Sequence, residues 1–370
     1  MFEPVMQSSF GTLGSRLPFS ALRILADDLT GALDTAAQFA SPEKPICVAL
    51  ELPADSLPDT LVVDCATREV TAASAAAKAK RTAVILDTVQ ERLSFFKVDS
   101  LLRGNPMLEL SECLKREPQR RCIIAPALPH QRRVTRAGKQ FAQFFETWSV
   151  VGEDIAAALQ GLGFSCTLAC PGDPLPKGIS LWDSESDADL DSIVQTGISC
   201  KPPILWCGSA GLAGALARLN PAKSASPKLF QPMLGIFGTN HAVMLDQLAY
   251  DAAFRISSSQ YQPGRTAWVT FDLATGIDRA MARAQIDVMA RDMLNGSPPP
   301  RTLVVSGGET LRGIAKTLHV KSLAVIGQLE PGIPVALLVG GPWNGTLAVT
   351  KSGAFGPPEF LTLLRQKAET

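Results

Sequence analysis

The chain has 370 residues, 46% hydrophobic and 19% charged, with 35 basic against 35 acidic side chains. That is apolar material for a two-domain core, and the zero net charge argues against nucleic acid or an anionic membrane as the main partner. No apolar run is long enough to cross a bilayer, and the eight cysteines lie mostly in apolar runs such as "VVDCAT" and "RCIIAP", like reduced buried thiols.

Residues 1–20 read as an N-terminal tail. An early acid and the lack of a continuous apolar centre make them unlike a signal peptide, and a soluble cytoplasmic enzyme is expected. From residue 21 short apolar runs alternate with helical patterns, as in parallel sheets with crossover helices. Strands are expected at 21–26, 45–50, 60–64, 95–99, 121–126, 165–169, 179–183 and 203–207. Helices are expected at 31–40, 71–82, 104–116, 153–161 and 208–219. The stretch "NPAKSASPKLFQP" is rich in proline, serine and lysine and supplies a linker at 221–232. Alternation then resumes, with strands "MLGIFG", "AWVTFD" and "RTLVVS" and helices at 240–254, 276–295 and 309–318. Strand-like runs follow near 322–327, 334–338 and 346–350. The expected fold class is α/β in two lobes, 21–220 and 233–370, each a mainly parallel sheet flanked by helices, with a cleft between them.

Ligands of open parallel sheets bind beyond the carboxyl ends of the strands, and three such ends in the first lobe are unusually polar. In "RILADDLTGALDTAAQFA", Asp27 and Asp28 stand where the strand stops, before Thr30 and Gly31 at a helix start. Successive strand residues face opposite ways. One aspartate can therefore face the crevice while the other caps the helix, and the sequence alone does not choose between them. In "FFKVDSLLRGN", Lys97 and Asp99 share one strand face, with Phe96 and Val98 on the other. Charges on a buried strand need a reason, either an internal ion pair or a ligand. Arg103, before Gly104, could fork onto a carboxylate there. "IIAPALPHQRRVTRAG" adds Arg132, Arg133 and Arg136, a solvated basic loop or an anion site, and His130, a surface or packing histidine. Carboxylates that accept from hydroxyls, beside cations that hold an acid, suit a small polyhydroxy acid.

In the second lobe "RTLVVSGGETLRGIAKTL" reads as strand, Gly-Gly turn and helix start. Open backbone N–H groups at a helix start cradle anions, which makes Ser306, Gly307, Gly308, Glu309 and Thr310 phosphate-site candidates. "TKSGAFG" adds Lys351, Gly353 and Gly356, and "GIFGTN" adds Gly238 and Thr239. A Walker loop, a G-x-S-x-G elbow and an H-E-x-x-H helix are missing, and Cys166 and Cys170 lack the partners of a zinc site. "GSAGLAG" at 208–214 imitates a dinucleotide turn, but the linker stands where a second strand ending in an acid is required. These glycines read as close helix–strand packing.

The segments "ADDLTGALDTA", "FFKVDSLLRGN", "APALPHQRRVTRAG", "CGSAGLA", "SGGET" and "TKSGAFG" resemble, in that order, the four-carbon acid sugar kinases, from about residue 22 to 360. The resemblance implies an acid-sugar-binding domain followed by an ATP-binding domain. It also implies ATP-dependent phosphorylation of a terminal hydroxyl of threonate, erythronate or an oxo-tetronate, with Mg²⁺ on the phosphates. It assigns Asp27, Asp28, Lys97, Asp99 and Arg103, with Ser100 and Gly104 beside them, to the acid-sugar site. The nucleotide site takes Thr239, residues 306–310 and Gly353, with Gly238, Lys351 and Gly356. On this reading Arg103, with Lys97, anchors the substrate carboxylate, and Asp28, or else Asp27, is the general base. Leu33, Leu101 and Arg132 depart from the family's usual residues on the substrate side. They motivate the alternatives of a non-catalytic acid-sugar or nucleotide sensor of the same fold and of a kinase for another sugar acid. An NAD-dependent acid dehydrogenase, resting on "GSAGLAG", is a further rival. The partners implied are an acid sugar and ATP, with a homodimer allowed and neither nucleic acid nor membrane.

Overall fold

The computed structural model describes residues 19–53, 57–89, 91–199, 203–219, 226–238, 241–271 and 279–369. Nearly all of the expected tail, the start of the linker, Cys200 and Thr239 lie outside the described residues. One sheet of 15 strands runs through both halves. Its order is Arg255–Ser257, Ala267–Thr270, Met233–Phe237, Thr302–Ser306, Leu347–Lys351, Pro334–Val339, Ser322–Gln328, Ile46–Ala49, Leu61–Asp64, Ala21–Ala26, Arg92–Lys97, Leu205–Gly208, Cys122–Ala125, Ile179–Trp182 and Cys166–Ala169.

The two expected sheets thus join edge to edge. Ser322–Gln328 pairs antiparallel with Ile46–Ala49, setting Ser322 opposite Ala49 and Val325 opposite Ile46. An exposed strand edge leaves N–H and C=O groups unpaired, and each half covers the other's edge. Pro334–Val339 is antiparallel to both of its neighbours, and the remaining pairs of this sheet are parallel.

A second, antiparallel sheet of Arg133–Arg136, Lys139–Phe144 and Thr147–Val150 occupies the stretch expected as a basic loop. Its cue is period two, with Gln140 and Ala142 buried between more exposed neighbours. Two helices are present where none is expected, Asp187–Ile198, which opens with a Ser186–Asp189 capping box, and Phe360–Lys367.

One apolar layer is continuous under both halves, from Leu33 and Ala36 on one side to Leu311, Ile314 and Leu323 on the other. The opposite face carries two separate cores, one around Phe96 and Met107 and one around Met244 and Trp268. Within the first half the glycines of "GSAGLAG" do pack closely. A Cβ at Gly208 would stand 2.5 Å from the Ala125 carbonyl oxygen.

Register places the sites. Ala26 lies opposite both Asp64 and Lys97, so the chain leaves three adjacent strands at one level. In the second half Ser306 lies opposite both Phe237 and Lys351, gathering its glycine turns in the same way.

Candidate active site

The first strand stops at Ala26 because Asp28, extended at φ −145° and ψ 161°, caps the helix Leu29–Ala37 by accepting from Gly31 N at 2.9 Å. Asp27 is buried. Its carbonyl accepts from Thr67 N at 2.9 Å and Arg68 N at 3.2 Å, which folds the turn after Asp64 back over the strand ends. The Arg68 guanidinium then meets Asp27 through both fork nitrogens at 2.7 Å each and Asp28 through Nη1 at 2.7 Å. Its Nη2 lies 3.7 Å from Asp99. Gly104, at φ +85°, makes room for this turn, since a Cβ there would stand 3.2 Å from both the Arg68 Cα and carbonyl oxygen.

Arg68, at the centre, was not among the expected site residues. In "CATREV" it looks like an ordinary loop arginine, and only the strand order carries it to Asp27.

Asp99 is claimed by Arg103, whose Nε and Nη2 donate to it at 2.7 and 2.8 Å. The expected fork is formed, but on a carboxylate of the protein, and the Arg103 side chain remains 56% exposed. Lys97 is buried, donates to the Val98 carbonyl at 2.9 Å and lies beside Gly31. Ser100 accepts from Arg133, and its carbonyl accepts from Gln140 of the small sheet at 2.9 Å. The three arginines of the third motif diverge. Arg133 turns inward, Arg136 pairs with Glu185 at 2.7 Å and stacks 4.6 Å above Trp148, and Arg132 is exposed at φ 54°. His130 is also exposed.

Charge balance follows from this geometry. Burial alone would raise Asp99, but the hydrogen bonds of Arg103 and the charge of Arg68 hold it far below the usual carboxylate range. Burial pushes Asp27 up against the pull of Arg68. Burial would also lower Arg68, yet Asp27, Asp28 and Asp99 outweigh it and keep the guanidinium charged. Glu109, buried beneath this cluster, is pushed by burial to about 8.

In the second half Gly307, at φ +101°, donates to the Lys351 carbonyl at 3.0 Å. The helix Gly308–Thr317 starts there with no side chain capping it, and no side-chain acceptor takes up its first amides, as an anion seat requires. Ser306 Oγ is buried without a hydrogen-bond partner. Glu309 is held by Arg283, and Gly238 packs against Thr310. Lys351 points to the opposite face of the sheet, where its ammonium donates to the Ser352 carbonyl at 3.0 Å over the Phe360 ring. Burial pulls it down to about 8. Gly353 lies buried in the turn that follows, and Gln247 holds the Phe355 and Gly356 carbonyls at 3.0 Å each.

The two sites meet. A Cβ at Gly308 would stand 2.6 Å from Thr30 Oγ1, so the glycine turn of one half touches the helix start of the other. Gln38 also donates to Gln328 across the same boundary at 3.3 Å. Among the described residues no group of three or more His, Cys, Asp or Glu side chains could hold a metal ion. No described helix is long and apolar enough to cross a membrane.

An arginine-knit polar cluster in one half thus abuts an uncapped glycine turn in the other. Residues 22–158 match the model of a sugar-binding N-terminal domain and residues 247–361 that of a nucleotide-binding C-terminal domain. The chain is 30% identical to a D-threonate kinase of Salmonella typhimurium, covering 91% of this chain and 96% of that protein. It is 26% identical to a D-threonate kinase of Cupriavidus necator, over 90% and 94%. A crystal structure of a Salmonella typhimurium LT2 protein shares the fold, with a TM-score of 0.74 at 18% identity over 94% of this chain and 100% of that one. The chain belongs to the four-carbon acid sugar kinase family.

Proposed function

We propose that this protein is an ATP-dependent kinase that phosphorylates the terminal hydroxyl of a four-carbon acid sugar such as threonate, erythronate or an oxo-tetronate. The observation that carries the reading is the contact of Gly308 with Thr30, which sets the uncapped helix start against the aspartate-bearing strand end. Residues 21–220 form the acid-sugar domain and residues 233–370 the nucleotide domain.

Phosphoryl transfer needs positioning, charge neutralisation and an acceptor for the hydroxyl proton. Asp28 is the proposed general base. Its side chain is 18% exposed against 5% for Asp27, and only one of its oxygens meets Arg68, the other accepting from Gly31 N, whereas Arg68 holds both oxygens of Asp27. Arg103 and Arg133, flanking Ser100 and Asp99, hold the substrate carboxylate from the open side, with Lys97 adding positive charge beneath. The amides of Gly308 and Glu309 receive phosphate oxygens, with Ser306, Thr310, Gly238, Lys351, Gly353 and Gly356 shaping the surrounding turns. Mg²⁺ carried by the nucleotide would neutralise phosphate charge, and the family's ATP supplies the phosphoryl group.

The test is an ADP-release assay with Mg-ATP against D- and L-threonate, D-erythronate and the 2- and 3-oxo-tetronates, with Asp28→Asn alongside. Turnover of one acid, lost in the variant, is expected. Nucleotide and acid binding with no turnover on any acid would overturn the reading.

A further inference from the structure

Arg312 belongs to the nucleotide half but reaches into the other. It stands in the second turn of the helix Gly308–Thr317 and pairs with Asp64, at the end of the strand Leu61–Asp64. The Asp64 side chain is entirely shielded from solvent. A buried carboxylate is costly without a compensating charge, and here that charge comes from across the boundary between the halves. The neighbouring carboxylates of Asp28 and Glu51 also act on the Arg312 guanidinium.

Asp64 opens the turn that carries Arg68. Its Oδ1 accepts from Ala66 N at 2.9 Å, and the next two amides, of Thr67 and Arg68, donate to the Asp27 carbonyl. The neutralised Asp64 is therefore the first fixed point of the turn, and Arg68 is delivered at its end to Asp27 and Asp28.

We propose that Arg312 is a positioning residue: from the nucleotide half it neutralises Asp64, holds the Arg68 turn in place, and so makes the shape of the acid site depend on docking of the two halves. This rests on the kinase reading above for its substrates. Without Arg312 the lone Asp64 charge draws water or protonates, and the turn shifts. A displacement of this kind near reacting groups costs roughly 10- to 100-fold.

The experiment compares Arg312→Gln, Asp64→Asn and the double variant. In Arg312→Gln the KM for the acid rises about 10-fold or more, while the KM for ATP stays within about 2-fold. Asp64→Asn, added to Arg312→Gln, recovers most of that loss, since the amide keeps the acceptor for Ala66 N and removes the stranded charge. Arg312→Lys falls between wild type and Arg312→Gln. An equal rise in both KM values, or no recovery in the double variant, overturns the proposal. If the wild type turns over no acid, the kinase reading fails separately, and the same split is read from acid and ATP dissociation constants by calorimetry. A thermal-denaturation cycle on the three variants needs no ligand. Losses that simply add would remove the pair, and with it the proposal.

Discussion

Replacing Arg68 with methionine removes the guanidinium and keeps most of the apolar stem. The Arg68 side chain is 11% exposed and meets three carboxylates, but they do not suffer equally. Asp99 keeps both bonds from Arg103, and Asp28 keeps its helix cap on Gly31 N. Asp27 loses both fork contacts and bears most of the loss. Removing one partner of a buried ion pair costs about 3–5 kcal/mol. With about 2–4 °C per kcal/mol for a cooperative unit of roughly 200 residues, the Tm should fall by about 6–20 °C.

The loss also depends on pH. Burial and the adjacent Asp28 already push Asp27 up, and deleting Arg68 removes the main opposing pull. A carboxyl raised on folding binds protons that the unfolded chain has released, so stability falls as pH rises through that window. The deficit of Arg68→Met relative to wild type should be largest near pH 8 and shrink toward pH 5. Chemical denaturation of both proteins across that range measures it directly. A loss below about 1 kcal/mol, or one equal at both ends, would refute the claim that Arg68 neutralises a buried Asp27.

Gly308→Ala should cut kcat/KM at least 10-fold, because its Cβ would crowd Thr30 Oγ1 at 2.6 Å. Thr30→Ala in the same chain should restore part of the activity, and steady-state kinetics on the double variant decides it. Lys351, lowered from 10.5 to about 8, gives up its proton on folding within that window. The unfolded chain then binds more protons, so wild-type stability should rise by on the order of 3 kcal/mol between pH 8 and 10.5 relative to Lys351→Met. Parallel denaturation curves at the two pH values check it. Glu109, raised from 4.5 to about 8, behaves oppositely: wild-type stability should fall from pH 5 to 8.5 relative to Glu109→Gln. Urea midpoints of the two proteins should therefore converge toward acid and separate toward alkali.

The division of the chain into strands, helices and two halves was legible because period and turn chemistry are local. The glycine turn at 307–308 and the aspartates at 27–28 were legible for the same reason, since each ends an apolar run and starts a helix. What escaped depends on which strands are neighbours. Arg68 leaves the strand Leu61–Asp64, which lies beside Ala21–Ala26 in space although Leu61 comes 34 positions after Asp27. Nothing within a window around Arg68 encodes that pairing. Arg312 is a stronger case, because its partner lies in the other half and its own helix gives it an ordinary polar position. Lys351 lies between these extremes. Strand alternation puts it on the face of Val349, away from Thr350, but only the packing of Met244 and Phe360 decides that this face is buried. The residues that join the two sites, Thr30, Gly308, Asp64 and Arg312, act through contacts made only when both halves are folded. Local sequence patterns thus reach each half of the proposed site and stop at their junction, because the pairings that build it join strands and helices far apart in the chain.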